Sequence, residues 1–171
     1  FPLWLTSRLC RTSFLYPVVK PPERTGLAEM IVMRTIVIDQ MIAARLADTR
    51  QFVFLGSGLD TRAYGPLLTG DLAIFELDQA ADLANKRQGL AAAGVDASAV
   101  RFVEVDFKDP SWMAALKASG YDPAQKTIFL WEGVTLYLTE LQVREGLATL
   151  RAHMANSSLI IADFYAARTL D

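Results

Sequence analysis

The run Phe52-Val53-Phe54-Leu55-Gly56-Ser57-Gly58-Leu59-Asp60-Thr61-Arg62 decides the fold. Its first half is a short apolar strand, and that strand leads straight into a Gly-x-Gly turn. A second strand, Ile74-Phe75-Glu76-Leu77-Asp78, follows and ends in acids. Gly56 and Gly58 allow a tight turn and let a ligand come close to the backbone. An acid at the tip of the next strand can accept hydrogen bonds from ribose hydroxyls. Together they predict a site for an adenosine-bearing cofactor.

Outward from this core, helix and strand alternate. Leu27 to Ala47 reads as a long helix, with Ile31, Ile38, Met41, Ile42 and Leu46 near helical spacing. Phe52 to Leu55 is the first strand and Ala73 to Leu77 the second. Ala80 to Ala93 is an Ala/Leu-rich helix stopped by Gly94. Arg101 to Val105 is a third strand, Ser111 to Ala118 a short helix before Gly120, and Thr127 to Trp131 a fourth strand. Leu141 to Met154 is an amphipathic helix with Thr139 as N-cap. Ser158 to Ala162 is a fifth strand, followed by Asp163. The alternation predicts βαβ units and a mostly parallel sheet. The strands are continuous apolar runs, as expected when helices cover both faces. Residues 1–26 form an N-terminal segment without assignable pattern, broken by Pro17, Pro21 and Pro22.

Composition bounds the function. The 171 residues suit one domain, and 52% are apolar, enough for a real core. The formal net charge of −2 gives no electrostatic basis for binding nucleic acid. Cys10 is the only cysteine, so no intrachain disulfide can form, which fits a reducing, cytoplasmic setting. The apolar stretch Phe1 to Val19 is interrupted by Arg8 and Arg11, too broken to span a bilayer or act as a signal peptide. The chain opens on Phe1 rather than Met, as a piece of a longer protein would.

Ligands of open α/β sheets bind at the carboxyl ends of the strands. Those ends carry Gly56, Gly58 and Asp60, then Glu76 and Asp78, then Asp106 and Phe107, then Glu132. Such a row of glycines and acids suits a ligand rich in hydrogen-bond donors. It suits a triphosphate less, and no Gly-x-x-x-x-Gly-Lys-Ser/Thr loop is present. A dinucleotide fingerprint wants a third small residue where Thr61 stands. That departure argues against NAD and leaves room for S-adenosylmethionine, which carries no pyrophosphate.

Leu55-Gly56-Ser57-Gly58-Leu59-Asp60-Thr61-Arg62, Phe75-Glu76-Leu77-Asp78 and Trp131-Glu132-Gly133-Val134-Thr135-Leu136-Tyr137-Leu138 resemble the leucine carboxyl methyltransferase family. Arg34-Thr35 with Ile38-Asp39, and Val105-Asp106-Phe107, fit the same pattern, which runs from about Met33 to Asp163. The resemblance implies a class I, Rossmann-like domain over residues 27–171 that binds S-adenosylmethionine and lacks the family's C-terminal hairpin strands. An edge strand left open in this way would favour self-association. The resemblance also implies roles. Arg34 would pair with the cofactor carboxylate, and Gly56 and Gly58 would pass under its methionine moiety. Asp78 would hold the ribose hydroxyls, Asp106 and Phe107 the adenine, and Glu132 the amino group. Tyr137 would lie on the substrate side, and Asp60 and Arg62 would orient the glycine loop. It implies O-methylation of a carboxylate on a small molecule or a peptide end. A carboxylate is ionised at neutral pH, so no catalytic base is assigned and the work is positioning. His153, the only histidine, lies in the last helix rather than at a strand end.

Plainer readings stand beside these. Arg34 could pair with Glu29 or Asp39, Asp78 could cap the helix near Ala80, and Asp106 could cap a turn before Pro110. Trp131 and Tyr137 read as packing residues, and His153 as a solvated helix residue. At the level of function, a nicotinamide-dependent oxidoreductase and a non-catalytic cofactor-binding remnant are the alternatives.

Overall fold

The computed structural model describes residues 26–65 and 71–164. The readings of the N-terminal segment and of Cys10 lie outside them. The chain divides into two compact units. In described residues, one comprises 26–47 and 59–65, and the other 48–58 and 71–164.

The first unit is built on helix α1 (Leu27–Ala43) and the 3-10 turn Arg62–Tyr64. The helix is shorter than its apolar spacing predicts. It stops at Ala43, and Leu46–Asp48 forms a separate 3-10 turn. Its expected inward stripe is also only half right. Ile38 and Ile42 are buried, but Ile31 and Met41 are exposed, as are Met33 and Val37. The helix is apolar on nearly every side, so its pattern marks no unique inner face. Arg62 holds this unit together. It is 6% exposed; its Nε donates to Asp39 Oδ1 at 2.6 Å and its Nη1 to Asp60 Oδ2 at 2.5 Å.

The second unit is a five-stranded sheet of order β3-β2-β1-β4-β5. The strands are β1 (Gln51–Leu55), β2 (Ala73–Asp78), β3 (Val100–Glu104), β4 (Thr127–Trp131) and β5 (Leu159–Ala162). All pairings are parallel, with Val53 opposite Phe75 and Phe129, and Leu130 opposite Ile161. Every residue of β1 and β4 is buried. These are the central strands, and both of their faces are covered.

Alternation along the strands sorts the core. Val53, Leu55, Phe75, Leu77, Val103, Phe129 and Trp131 point to one face. Helices α3 (Trp112–Ala118) and α4 (Glu140–Ala152) cover it with Trp112, Leu116 and Leu150. Phe52, Phe54, Ile74 and Glu76 point to the other face, where α2 (Ala80–Ala92) brings Lys86 onto Glu76. Among the described residues, no helix is long and apolar enough to cross a membrane.

The helix ends follow local chemistry. Gly94, at φ +66°, closes α2: its N–H donates to Ala91 O, and the Val95 N–H to Leu90 O. That is a Schellman ending, in which a left-handed glycine lets the last carbonyls be satisfied. Thr139 opens α4 by accepting the Gln142 N–H, and Gln142 in turn accepts the Thr139 N–H at 2.8 Å.

Candidate cofactor site

The chain leaves β1 for β2 and β3 on one side, then returns to β4 and β5 on the other. Between β1 and β4 the order reverses, and in a doubly wound sheet the ligand crevice lies at the carboxyl edge of that point. The loops after β1 and β4 would be its walls.

The first wall is the glycine loop. Gly56 has φ +79° and Gly58 φ +43°. The loop is pinned to β2, with the N–H groups of Gly56 and Ser57 both donating to Leu77 O, at 2.9 and 3.0 Å. The two glycines serve different purposes. A β-carbon on Gly56 would lie 2.3 Å from Val134 Cγ2, so this glycine is required by protein packing. A β-carbon on Gly58 would meet nothing within 4 Å among the described residues. Open space beyond a left-handed glycine is where a ligand could pass over bare backbone. On the inner side, Lys86 Nζ lies 3.4 Å from Ser57 O and 2.7 Å from Glu76 Oε2.

Asp78 ends β2. Its Oδ2 accepts the Gly58 N–H at 2.7 Å and its Oδ1 accepts the Gln79 N–H at 2.8 Å. It does not cap α2, whose N-cap is Gln79. Each carboxylate oxygen keeps a further lone pair, so the group can hold the loop and still accept from a ligand hydroxyl.

Beyond β3, Asp106 is exposed and Phe107 half-buried. Asp106 Oδ1 accepts the Lys108 N–H at 2.9 Å, the turn-capping role open to it from the sequence. Phe107 packs edge-on against Trp112, with ring centroids 5.7 Å apart. Glu132 follows β4 and is half-buried. Trp131 is 2% exposed and packs in the core as expected, whereas Tyr137 is 75% exposed and is not a packing residue.

Along the carboxyl edge the order is therefore Asp106 and Phe107, Asp78, Gly58 and Gly56, then Glu132. Arg34 is half-buried on α1, in the other unit, and Asp60 and Arg62 belong to that unit's ion-pair network with Asp39. His153 is the C-cap of α4 rather than a solvated helix residue. Its Nδ1 lies 2.9 Å from Thr149 O, and its carbonyl accepts the Tyr121 hydroxyl. The C-terminal end of α4 precedes β5, so His153 sits toward the amino edge of the sheet, away from the crevice.

Sequence reasoning passed over Lys86, Val134 and Asp163. Lys86 had one legible signal: Leu83, Lys86 and Leu90 share a helical face, and all three are buried. Val134 had none, because its role depends on the packing of two loops. In the sequence Asp163 reads only as the residue after the fifth strand.

Sheet order, glycine loop and strand-end acids define a doubly wound, Rossmann-like domain. Among the described residues no α-helix opens on the glycine loop, where a pyrophosphate site would need one; a three-residue 3-10 turn follows instead. The leucine carboxyl methyltransferase pattern matches residues 9–151, and the chain belongs to that family.

Its relatives include a "putative S-adenosyl-L-methionine-dependent methyltransferase" of Mycolicibacterium smegmatis, 41% identical over 66% of this chain and 38% of that protein. One of Streptomyces avermitilis is 38% identical over 80% of this chain and 48% of that protein. The chain thus spans less than half the length of these curated relatives. The crystal structure of a "putative methyltransferase" from Thermobifida fusca shares the fold, with TM-score 0.59 and 22% identity over 80% of this chain and 54% of that one.

Proposed function

We propose that this chain forms the S-adenosyl-L-methionine-binding part of a methyltransferase that acts on a carboxylate oxygen of a small molecule or a peptide end. The observation that carries the cofactor reading is the order of groups along the carboxyl edge. In the strand order β3-β2-β1-β4, Asp106 and Phe107 would face the adenine, Asp78 the ribose, the backbone at Gly58 would come next, and Glu132 would face the amino-acid end. That is the order of the parts of S-adenosylmethionine. Relatives named for this cofactor support the same reading.

When bound, the cofactor supplies a methyl group on a positively charged sulfur that leaves as a neutral thioether. The chain's own residues bind and orient. Asp78 accepts ribose hydroxyls while holding Gly58, and Glu132 offers a negative charge to the amino group. Tyr137, exposed beyond β4, would contact the acceptor. A carboxylate acceptor is already ionised at neutral pH and needs no proton removed, which fits a site to which no catalytic base is assigned.

Calorimetric titration of the chain with S-adenosylhomocysteine, with NADH in parallel, tests the cofactor. Micromolar binding of the former alone, about −8 kcal/mol, is expected; preference for NADH would overturn the reading. With radiolabelled cofactor, carboxylic acids should yield base-labile methyl esters. Base-stable label would replace the carboxylate by another acceptor.

A further inference from the structure

We propose that Asp163 is a positioning residue that shapes the cofactor crevice from the edge of the sheet, a role resting on the cofactor reading above. Asp163 follows β5, whose last residue Ala162 lies opposite Trp131 at the end of β4. Three contacts join it to the chain leaving β4. Its Oδ1 accepts the Gly133 N–H at 2.8 Å, and its carbonyl accepts the Thr135 hydroxyl at 2.7 Å. Its own N–H donates to Trp131 O at 3.4 Å.

Gly133 is in the left-handed region at φ +71°, and Thr135, which opens a 3-10 turn, is 7% exposed. The two shorter bonds therefore bracket Val134 and fix where its side chain goes. It goes onto Gly56, where its Cγ2 fills the place of a β-carbon. A continuous path of contacts runs from Asp163 through Gly133 and Thr135 to Val134, and from Val134 to the glycine loop. Glu132, the neighbour of Gly133, is carried by the same segment.

The other wall uses the same device. Asp78 ends β2 and holds the N–H of Gly58 in the loop of the adjacent strand β1. Asp163 follows β5 directly and holds the N–H of Gly133 in the loop of the adjacent strand β4. On each side of the switch point, an aspartate at or just beyond the end of an outer strand locks a left-handed glycine of its inner neighbour. An ionised acceptor makes each lock stronger than a neutral one. A crevice held this way is preorganised, so less ordering remains to be done on binding.

The test compares wild type, Asp163→Ala, Asp163→Asn and Val134→Ala by 15N amide spectra and by calorimetry with S-adenosylhomocysteine. Asp163→Ala should move the amides of Gly133, Gly56 and Ser57 while leaving those of β3 in place. It should weaken binding by about tenfold or more. Asp163→Asn keeps an oxygen acceptor and should recover most of that loss. Val134→Ala should move Gly56 and Ser57 while the Gly133 amide stays protected from exchange; it decides the matter even if Asp163→Ala does not fold. Gly56 and Ser57 amides unmoved in both alanine variants, or equal affinity of wild type and Asp163→Ala, would overturn the role. No binding by wild type would instead remove the cofactor reading, and the spectra alone would then judge Asp163.

Discussion

Lys86 and Glu76 are 3% and 0% exposed and meet at 2.7 Å beside the glycine loop. A buried pair of this kind adds little net stability, because desolvation offsets attraction, but losing one partner strands the other charge. Lys86→Met should therefore lower the free energy of unfolding by about 3–5 kcal/mol in urea. Glu76→Leu combined with Lys86→Met should recover most of it, since neither charge is then left alone. Recovery of stability need not restore binding, because Lys86 also reaches Ser57 O. A single Lys86→Met as stable as wild type would show that the pair is not held as described. At this scale the sequence was partly legible. The acids at the strand ends could be named because an acid inside or directly after an apolar run needs a reason. Lys86 was hidden in a helix whose other polar residues face water. Gly56 was legible as a special glycine, but its reason is Val134, which only packing reveals.

Helix α4 carries Gly146 at a position where alanine would ordinarily be worth about 0.8–1.0 kcal/mol more in helix propensity. Here the exchange should reverse sign. A β-carbon would stand 2.8 Å from Trp131 Cη2 and 3.5 Å from Cζ3, against an indole that is 2% exposed. Neither a rigid ring in a packed core nor the helix backbone can yield cheaply, so Gly146→Ala should cost about 1–3 kcal/mol. Thermal unfolding measures the cost, and a shift in tryptophan emission should accompany it; a stabilised variant would sink the account. The elements themselves were largely legible. The central strands read as unbroken apolar runs because both of their faces are covered, and Gly94 and Thr139 marked helix ends by chemistry that acts locally. The end of α1 was not legible. It closes on Ala44, with no glycine or proline to mark it, and apolar residues continue to Leu46. Nor was its inner face, since Ile31 and Ile38 look alike in sequence and differ only in what covers them.

Strand order is a property of the whole sheet, and the sequence carries it only indirectly, through the rule that parallel crossovers are right-handed and close to their neighbours. The row of site residues was legible because each stands at a strand's carboxyl end; that the row begins at Asp106 and ends at Glu132 follows from the order β3-β2-β1-β4. Tyr121 shows the same dependence on assembly. It lies before β4 in sequence, yet its ring packs edge-on against Phe75 of β2 and Phe129 of β4, at 6.2 and 5.8 Å. Its hydroxyl donates to His153 O at 2.8 Å, tying the sheet to the end of α4. Burial raises the pKa of this phenol, and the charge of Asp122 adds to the effect, against an opposing contribution from Thr127. Because the folded value is the higher one, the contribution of this group to stability is fully present below about pH 10, where a free tyrosine ionises. Above that, the unfolded chain releases the proton while the folded chain retains it, and the contribution is lost as the pH rises through the folded value. Tyr121→Phe removes both the hydrogen bond and this linkage. Wild type should be the more stable by about 1 kcal/mol near neutrality, and urea midpoints should show its lead shrinking above about pH 10. A lead that stays constant across that range would mean that Tyr121 titrates alike in the folded and unfolded chain.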